Sequence, residues 1–433
     1  MRWTTRQGLL AAAAFLVLLA ASGEANAQIR SALEPPDLDR YLRWGPLRVR
    51  PSFQIRNVGY DDNILLRATP RISDYRATLS AGAEGVVLLG NAAFLTFDQR
   101  FDYTAYLETS EQNFLNTNTR ARMTVPFGGF GFFGEFEITD AQERPVDRED
   151  IRPQRRTDRF NVGAIATLGW RTEIELAVGR QDWRFSDTDG TSLDPNDPAA
   201  VPFVTENLNR DVDTARLSAT YRLKGRAQLT LRYEREDVEF EFPGRIIGVG
   251  DVRRDAVETR ILPGIRFGEG GALTGHVELG RSQIEAESPE LPDFSGFAAD
   301  AELLYRPGRR TSFRLVYLRR PGYEISSNNR LLLNETIALR SVRYLNRVFG
   351  VELGTSETTI ELFPSISGDF AGTDGRVDTL LRYDVGLRLR MSENSIGRRV
   401  EYAFRVGRYR RESTDPNFDN SQSTFGIDAI VGF

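Results

Sequence analysis

The sequence predicts an all-β fold, a transmembrane antiparallel up-and-down β-barrel of about eighteen strands. Three observations predict it: apolar side chains recur with period two, short turns alternate strictly with long polar connections, and the chain ends on an aromatic residue that closes an alternating strand. Sixteen strands are the alternative count, because residues 348–362 are weakly patterned.

At the amino end, Arg2 and Arg6 precede an apolar run from Leu9 to Ala21 and the small-residue stretch Ala25–Ala27, which reads as a secretory signal peptide over residues 1–27. The run is shorter than the roughly 20 residues that a spanning helix needs, and no later stretch approaches that length. Residues 28–46, "QIRSALEPPDLDRYLRWGP", follow as a Pro-containing periplasmic leader, and the barrel is expected over 47–433. Without the signal, 54 basic residues stand against 60 acidic ones, a balance that argues against nucleic acid as a partner. The chain has no cysteine and a single histidine, His276, so neither disulfides nor a thiol nucleophile nor a histidine-rich metal site can contribute. No cofactor and no metal are expected.

The strands declare themselves by alternation. In "LRYDVGLRLRM", Leu381, Tyr383, Val385, Leu387, Leu389 and Met391 share one face and Arg382, Asp384, Gly386, Arg388 and Arg390 the other. Thr259, Ile261, Pro263, Ile265 and Phe267 likewise oppose Glu258, Arg260, Leu262, Gly264 and Arg266. Alternation alone would also suit a soluble sandwich. The connections decide for a barrel in lipid: short turns at 89–92, 127–130, 169–172, 223–227, 268–272, 306–311 and 344–347 interleave with long polar segments near 108–116, 140–158, 187–209, 241–254, 286–295, 321–331, 363–374 and 412–420. An even strand number puts both termini on one side, expected to be the periplasm.

The last strand, "STFGIDAIVGF", sets Phe425, Ile427, Ala429, Val431 and Phe433 on one face. A terminal aromatic in this register resembles the signal read by the machinery that inserts outer-membrane barrels, and Phe425, Ile427 and Phe433 are its candidates. Trp44 and Trp170 fall at short-turn strand ends, where an aromatic girdle belongs. The first strand, from Leu47, carries Leu47, Val49, Pro51, Phe53 and Ile55 toward lipid, with Pro51 awkward because it lacks a ladder donor. Beyond it, Asp61, Asp62 and Asn63 sit where the strand leaves the membrane and read mainly as Asx turn chemistry. Their oxygens could attract calcium, but the spacing matches no EF-hand loop.

"GPLRVRPSF" followed by "VGYDDNILL" resembles the start of the putative β-barrel porin type 2 family, with Gly59, Tyr60, Asp61, Asp62 and Asn63 as the motif and Arg56–Asn57 as a departure from many relatives. The likeness is sharp over about residues 41–66 and architectural elsewhere. It implies a Gram-negative outer-membrane barrel associated with exopolysaccharide secretion, working beside periplasmic export partners. Outer-membrane lipids and the barrel-assembly machinery are the other expected partners.

The polar faces turn Arg100, Arg216, Arg232, Arg260, Arg266, Arg314, Arg340, Arg382, Arg388 and Arg405 into the lumen, together with Glu135, Glu137, Glu175 and Glu234. Such a wall is either a hydrated salt-bridged ladder or a path whose guanidinium forks and carboxylates bind saccharide hydroxyls and uronates. Two functions compete, a conduit for an extracellular polysaccharide and a general diffusion porin for small solutes. An enzyme barrel is a minor third, since Ser282, His276 and Glu278 share a face but no nucleophile elbow accompanies them.

Overall fold

An apolar face can meet lipid only if every backbone N–H and C=O is paired along both edges of its strand, because the bilayer core offers no water to satisfy them. In a computed structural model the chain meets that demand by closing one antiparallel sheet. The structure describes residues 31–39, 41–66, 70–142, 153–186, 208–223, 227–246, 250–268, 271–291, 293–323, 331–363, 375–391 and 399–432.

Eighteen long strands form the wall: β1 (Leu47–Asp61), β2 (Asp74–Leu89), β3 (Ala93–Tyr106), β4 (Phe114–Phe127), β5 (Phe130–Gln142), β6 (Gln154–Leu168), β7 (Thr172–Ser186), β8 (Arg210–Arg222), β9 (Ala227–Phe240), β10 (Ala256–Phe267), β11 (Leu273–Ala286), β12 (Phe294–Tyr305), β13 (Thr311–Tyr323), β14 (Leu331–Tyr344), β15 (Phe349–Leu362), β16 (Val377–Arg390), β17 (Arg399–Ser413) and β18 (Asn420–Gly432). Each pairs with its sequence neighbours, and β18 returns to β1. Residues 349–362 are a full strand paired on both sides, which settles the count at eighteen rather than sixteen. A further short connection, 391–398, joins β16 to β17 where the turn pattern had shown none. Pairing also begins earlier than residue 47, since Leu42–Trp44 forms a hairpin with Leu47–Val49.

The two faces separate as the period-two pattern requires. On β16, Tyr383, Val385 and Leu387 are exposed on the outer face, while Leu380 and Gly386 on the alternate positions are buried. Trp44 and Trp170 stand exposed at the short-turn end, in keeping with an interfacial girdle. Gly90, Gly128 and Gly169 take φ of +62 to +64° in three short turns, where a left-handed residue reverses the chain between strands only a few residues apart.

One bulge breaks the alternation. Between Ile55 and Val58 the pairing with β18 shifts, and Asn57 takes φ +55°. Phe53 and Ile55 face outward before it, Val58 and Tyr60 after it, so Gly59 and Asp61 turn inward. The departure at Arg56–Asn57 is thus the bulge itself. Pro51 is paired with Ala83 on one side, and the described pairing with β18 ends next to it at Ser52↔Gly432, so its missing donor falls beside the end of the seam.

Candidate functional site

The lumen is lined by charges that neutralise one another along single strands, between neighbours and across several strands. Glu135 takes Arg120 (3.2 Å) and Arg122 (3.5 Å), Glu175 takes Arg122 (2.9 Å) and Arg216 (3.0 Å), and Glu137 approaches Arg159 at 3.7 Å. Farther round, Arg232 meets Glu278 (2.6 Å) and Asp300 (3.1 Å), and Arg260 meets Glu258 (2.9 Å), Glu234 (3.1 Å) and Glu236 (3.6 Å). Arg314 pairs with Glu302, Arg100 with Asp102 and Arg382 with Asp384. Arg266 has no ion pair among the described residues and is exposed near the β10–β11 turn.

The hub of this ladder is Glu352 on β15, 1% exposed, which receives Arg340 at 2.9 Å, Arg405 at 3.4 Å and Arg388 more closely still. Arg388 also binds Glu401, and Arg405 also binds Asp428. Arg388 and Arg405 donate to one carboxylate oxygen, while Arg340 faces the other as an ion pair without a hydrogen bond among the described residues. Sequence reasoning named the three arginines and missed Glu352, which lies in the stretch of weakest apolar patterning. The signal that would have found it is the inward parity it shares with Gly354 and Ser356.

His276 donates to or accepts from Asp300 at 3.1 Å, whereas the Ser282 hydroxyl donates to Glu258 at 3.0 Å. At about 3.4 Å of rise per residue, Ser282 and His276 lie roughly 20 Å apart along β11. They do not form a catalytic set.

At the short-turn end the leader enters the barrel. Leu33 is buried against Phe133, Ile165 and Ala177, all lumen-facing residues of β5, β6 and β7. Gly131 makes the seat: a Cβ there would overlap a Leu33 methyl. The Ser31 hydroxyl and the Ala32 N–H both donate to Glu173. Farther along, Tyr41 donates to Glu84 at 3.4 Å beneath the guanidinium of Arg50, itself 2.5 Å from Glu84. The span from Leu33 to Tyr41 reaches roughly 26 Å when extended, at about 3.3 Å per residue. The leader therefore touches the wall at β5–β7 and again at β1–β2.

At the long-loop end the obstruction is part of the wall. The described pairing of β12 with β13 stops at Ala299↔Arg319, while β13 and β14 stay paired out to Tyr323↔Leu331. The tip of this hairpin leans inward. Leu331 and Leu333 pack with Ala256, Ile284 and Phe294, the inward-facing residues of β10, β11 and β12, and Tyr323 reaches the ring of Phe240 at 5.4 Å. Phe363 closes the cluster against Phe294 at 5.6 Å.

The Gly59–Asn63 motif lies at the seam rather than in a free loop. Asp61, 0% exposed, accepts from the Gln422 amide at 2.7 and 2.8 Å and from the Asn63 backbone at 3.1 Å, and pairs with Arg76 at 3.2 Å. Asp62 accepts from the Ser423 N–H at 2.6 Å, and Asn63 donates to the Ser421 carbonyl at 3.0 Å. A Cβ at Gly59 would overlap the Phe425 carbonyl, so this position must be glycine for β1 to approach β18. The local Asx turn was legible; the clamp on the closing strand, some 360 residues away, was not. Of the proposed insertion signal, Phe425 is exposed on the outer face of β18 and Ile427 shares that face, while Phe433 lies outside the described residues.

A family model described as Putative beta-barrel porin 2 matches residues 247–320, which span β10 to β12 and most of β13. This is a different part of the chain from the motif at 41–66 that first suggested the family. No curated protein matches the sequence. Among solved structures, OpdK from Pseudomonas aeruginosa is 12% identical over 89% of this chain and 98% of its own, with a TM-score of 0.44. OccK2 (OpdF) of the same organism, in complex with glucuronate, is 13% identical over 89% and 97%, with a TM-score of 0.46. The FrpB iron transporter from Neisseria meningitidis is 10% identical over 91% and 81%, with a TM-score of 0.43. A closed eighteen-stranded barrel with an apolar skin and a charged lumen is a porin-like channel of the outer-membrane type.

Proposed function

We propose that this channel is a conduit for an extracellular polysaccharide in the bacterial outer membrane, with the short turns and the leader on the periplasmic side. The observation that carries the reading is the seated leader. A general diffusion porin has no use for a segment held inside its mouth against β5–β7, whereas a polymer conduit gains from one that a periplasmic partner or the arriving chain can displace. The ladder of paired charges supports the same reading. Its arginines and carboxylates already neutralise one another, so the wall offers many weak hydrogen-bonding groups and little net field, which suits the sliding of a polyhydroxylated chain.

A deletion strain should lose or alter its surface polysaccharide while small-solute uptake stays unchanged. The converse pair of outcomes, intact polysaccharide with altered uptake, would establish a diffusion porin instead. Orientation has its own test in this cysteine-free chain. Cysteine at Asn417, exposed in a long-loop connection, should react with an impermeant maleimide on intact cells; cysteine at Asn91, exposed in a short turn, should react only after the outer membrane is opened. Labelling in the opposite sense would invert the topology.

A further inference from the structure

Arg210 departs from the rule that most of the lumen keeps. It stands at the long-loop end of β8 on the inward face, yet among the described residues no carboxylate lies within ion-pair distance of it. Its one side-chain hydrogen bond among them is a long one, 3.4 Å to the Leu208 carbonyl. It is held instead by aromatic rings, with its guanidinium carbon 4.4 Å from the ring centroid of Trp183, 5.6 Å from that of Tyr323 and 5.8 Å from that of Phe240. Cation–π contact of this kind stabilises the charge without consuming the in-plane N–H donors. The Tyr323 hydroxyl beside it is buried and has no hydrogen-bond partner among the described residues.

Both groups border a lumenal chamber of about 420 Å³ that Trp183 also lines. Glu236 faces the same chamber, where Arg260 engages it at 3.6 Å, and it acts on Arg210 only from beyond ion-pair distance. Arg254, just outside β10, stacks on the other side of this cluster at 4.3 Å from Phe240. Burial, and then the neighbouring charge of Arg210, push its pKa down to about 10, which leaves it cationic at neutral pH and adds to the positive excess here. A buried hydroxyl and a guanidinium that lack a partner and a counter-ion among the described residues are each costly unless something else binds them. A planar anion that accepts from both, next to an aromatic face, satisfies the two at once.

We propose that this chamber is a binding subsite for the carboxylate of a uronate unit in a saccharide chain. Arg210 takes the carboxylate and Tyr323 donates to it or to the adjacent hydroxyl, while Trp183, whose ring also carries Arg155 at 4.9 Å, holds the Arg210 guanidinium in place. The assignment rests on the polysaccharide reading for its ligand class and deepens it: the conduit reads acidic chains at its long-loop end.

The test is single-channel current through the full-length protein in a planar bilayer, with trigalacturonate as probe and maltotriose as the neutral control of equal length. Wild-type channels should show longer interruptions with trigalacturonate than with maltotriose. R210Q should shorten the trigalacturonate interruptions about tenfold, the loss of about 1.4 kcal/mol, and leave those of maltotriose unchanged. Tyr323→Phe removes a hydroxyl that has no partner among the described residues, so it should insert normally and shorten the same interruptions by a smaller factor, about threefold; it reads the site even where R210Q does not assemble. Equal interruptions by the two trisaccharides, or no change in Tyr323→Phe, would overturn the proposal. Abolition of the trigalacturonate effect by inorganic phosphate, but not by galacturonate monomer, would assign the chamber to phosphate and also overturn it. An unaltered surface polysaccharide in the deletion strain would instead remove the export reading and leave the bilayer result standing.

Discussion

The two ends of the lumen are narrowed by segments of opposite character. At the short-turn end the leader lies inside the barrel but is not part of it: one buried leucine, two donors to Glu173 and a tyrosine on Glu84 hold it. At the long-loop end the β13–β14 tip is an extension of the wall, and three of its own side chains, Tyr323, Leu331 and Leu333, cluster with Ala256, Ile284 and Phe294 of β10, β11 and β12 and with Phe363 just beyond β15. The leader can leave without breaking a strand; the hairpin tip can move only by dismantling the cluster that the barrel wall itself supplies. The difference teaches which obstruction can serve as a gate. Contacts that break independently of the global fold belong to the low-stability end of a structure, from which moving parts are drawn.

The largest expected effect tests the hairpin side. Phe294 is buried in the apolar cluster and rests on Phe363. Phe294→Ala should cost about 3–5 kcal/mol, the usual loss for a buried aromatic. Because the cluster belongs to the wall, that loss should appear as a lowered urea midpoint for unfolding of the barrel in detergent or lipid. A variant that unfolded like wild type and merely conducted better would show that the tip is as detachable as the leader, and the contrast would fail.

Leu33→Ala tests the other end. Leu33 is buried, and truncating it should cost about 2 kcal/mol, at the low end for a buried leucine. None of that energy holds strands together, so the urea midpoint should not move. The seated leader would instead become less favoured, and at about 1.4 kcal/mol per tenfold the unseated population should rise roughly thirtyfold. Single-channel recording would read this as more frequent or longer high-conductance events. An unchanged record would mean that the leader does not obstruct the current. Replacing Gly131 with Ala should act in the same direction from the opposite side of the contact, since its Cβ overlaps the Leu33 methyl.

What the sequence made legible is what depends on neighbouring strands. Alternation placed the outer face of β16 and the inward arginines of β10, β14 and β16 without help from tertiary contacts, because period-two geometry and an apolar solvent leave one register for each strand. Pairs between strands far apart in sequence were not legible. Arg232 on β9 meets Asp300 on β12, Arg122 on β4 meets Glu175 on β7, and Glu352 on β15 reaches past its neighbour to Arg405 on β17. Which carboxylate a guanidinium chooses depends on side-chain reach and on the stagger of tilted strands, neither of which has a periodic signature. The seam was hidden for a related reason: Asp61, Asp62 and Asn63 have the composition of any turn, and their role is fixed only by the arrival of Gln422 and Ser423 beside them. The inward lean of the β13–β14 tip left one trace, the unbroken apolar triplet Leu331–Leu333, in which Leu331 and Leu333 pack on one side and Leu332 joins Ile360, Leu362 and Leu380 on the other. A strand that is apolar on both faces at its loop end has protein on both faces.

The smallest effect sharpens the comparison by asking whether the leader's polar contact or its apolar one sets the gate. The Ser31 hydroxyl donates to Glu173, whose carboxylate also receives the Ala32 N–H. Ser31→Ala removes one donor to an ionised acceptor that keeps its backbone partner and stands close to lumenal water, so the loss should fall below the usual range for bonds to charged groups, at about 1 kcal/mol. That corresponds to a rise in unseated events of roughly fivefold, well below the expectation for Leu33→Ala. Because the bond is charge-assisted, its contribution should also shrink as salt rises, while that of Leu33 should not. Recording both variants at low and high ionic strength separates the two contributions. If Ser31→Ala proved the more disruptive, the leader would be held chiefly by Glu173, and a periplasmic partner could release it by competing for that one carboxylate.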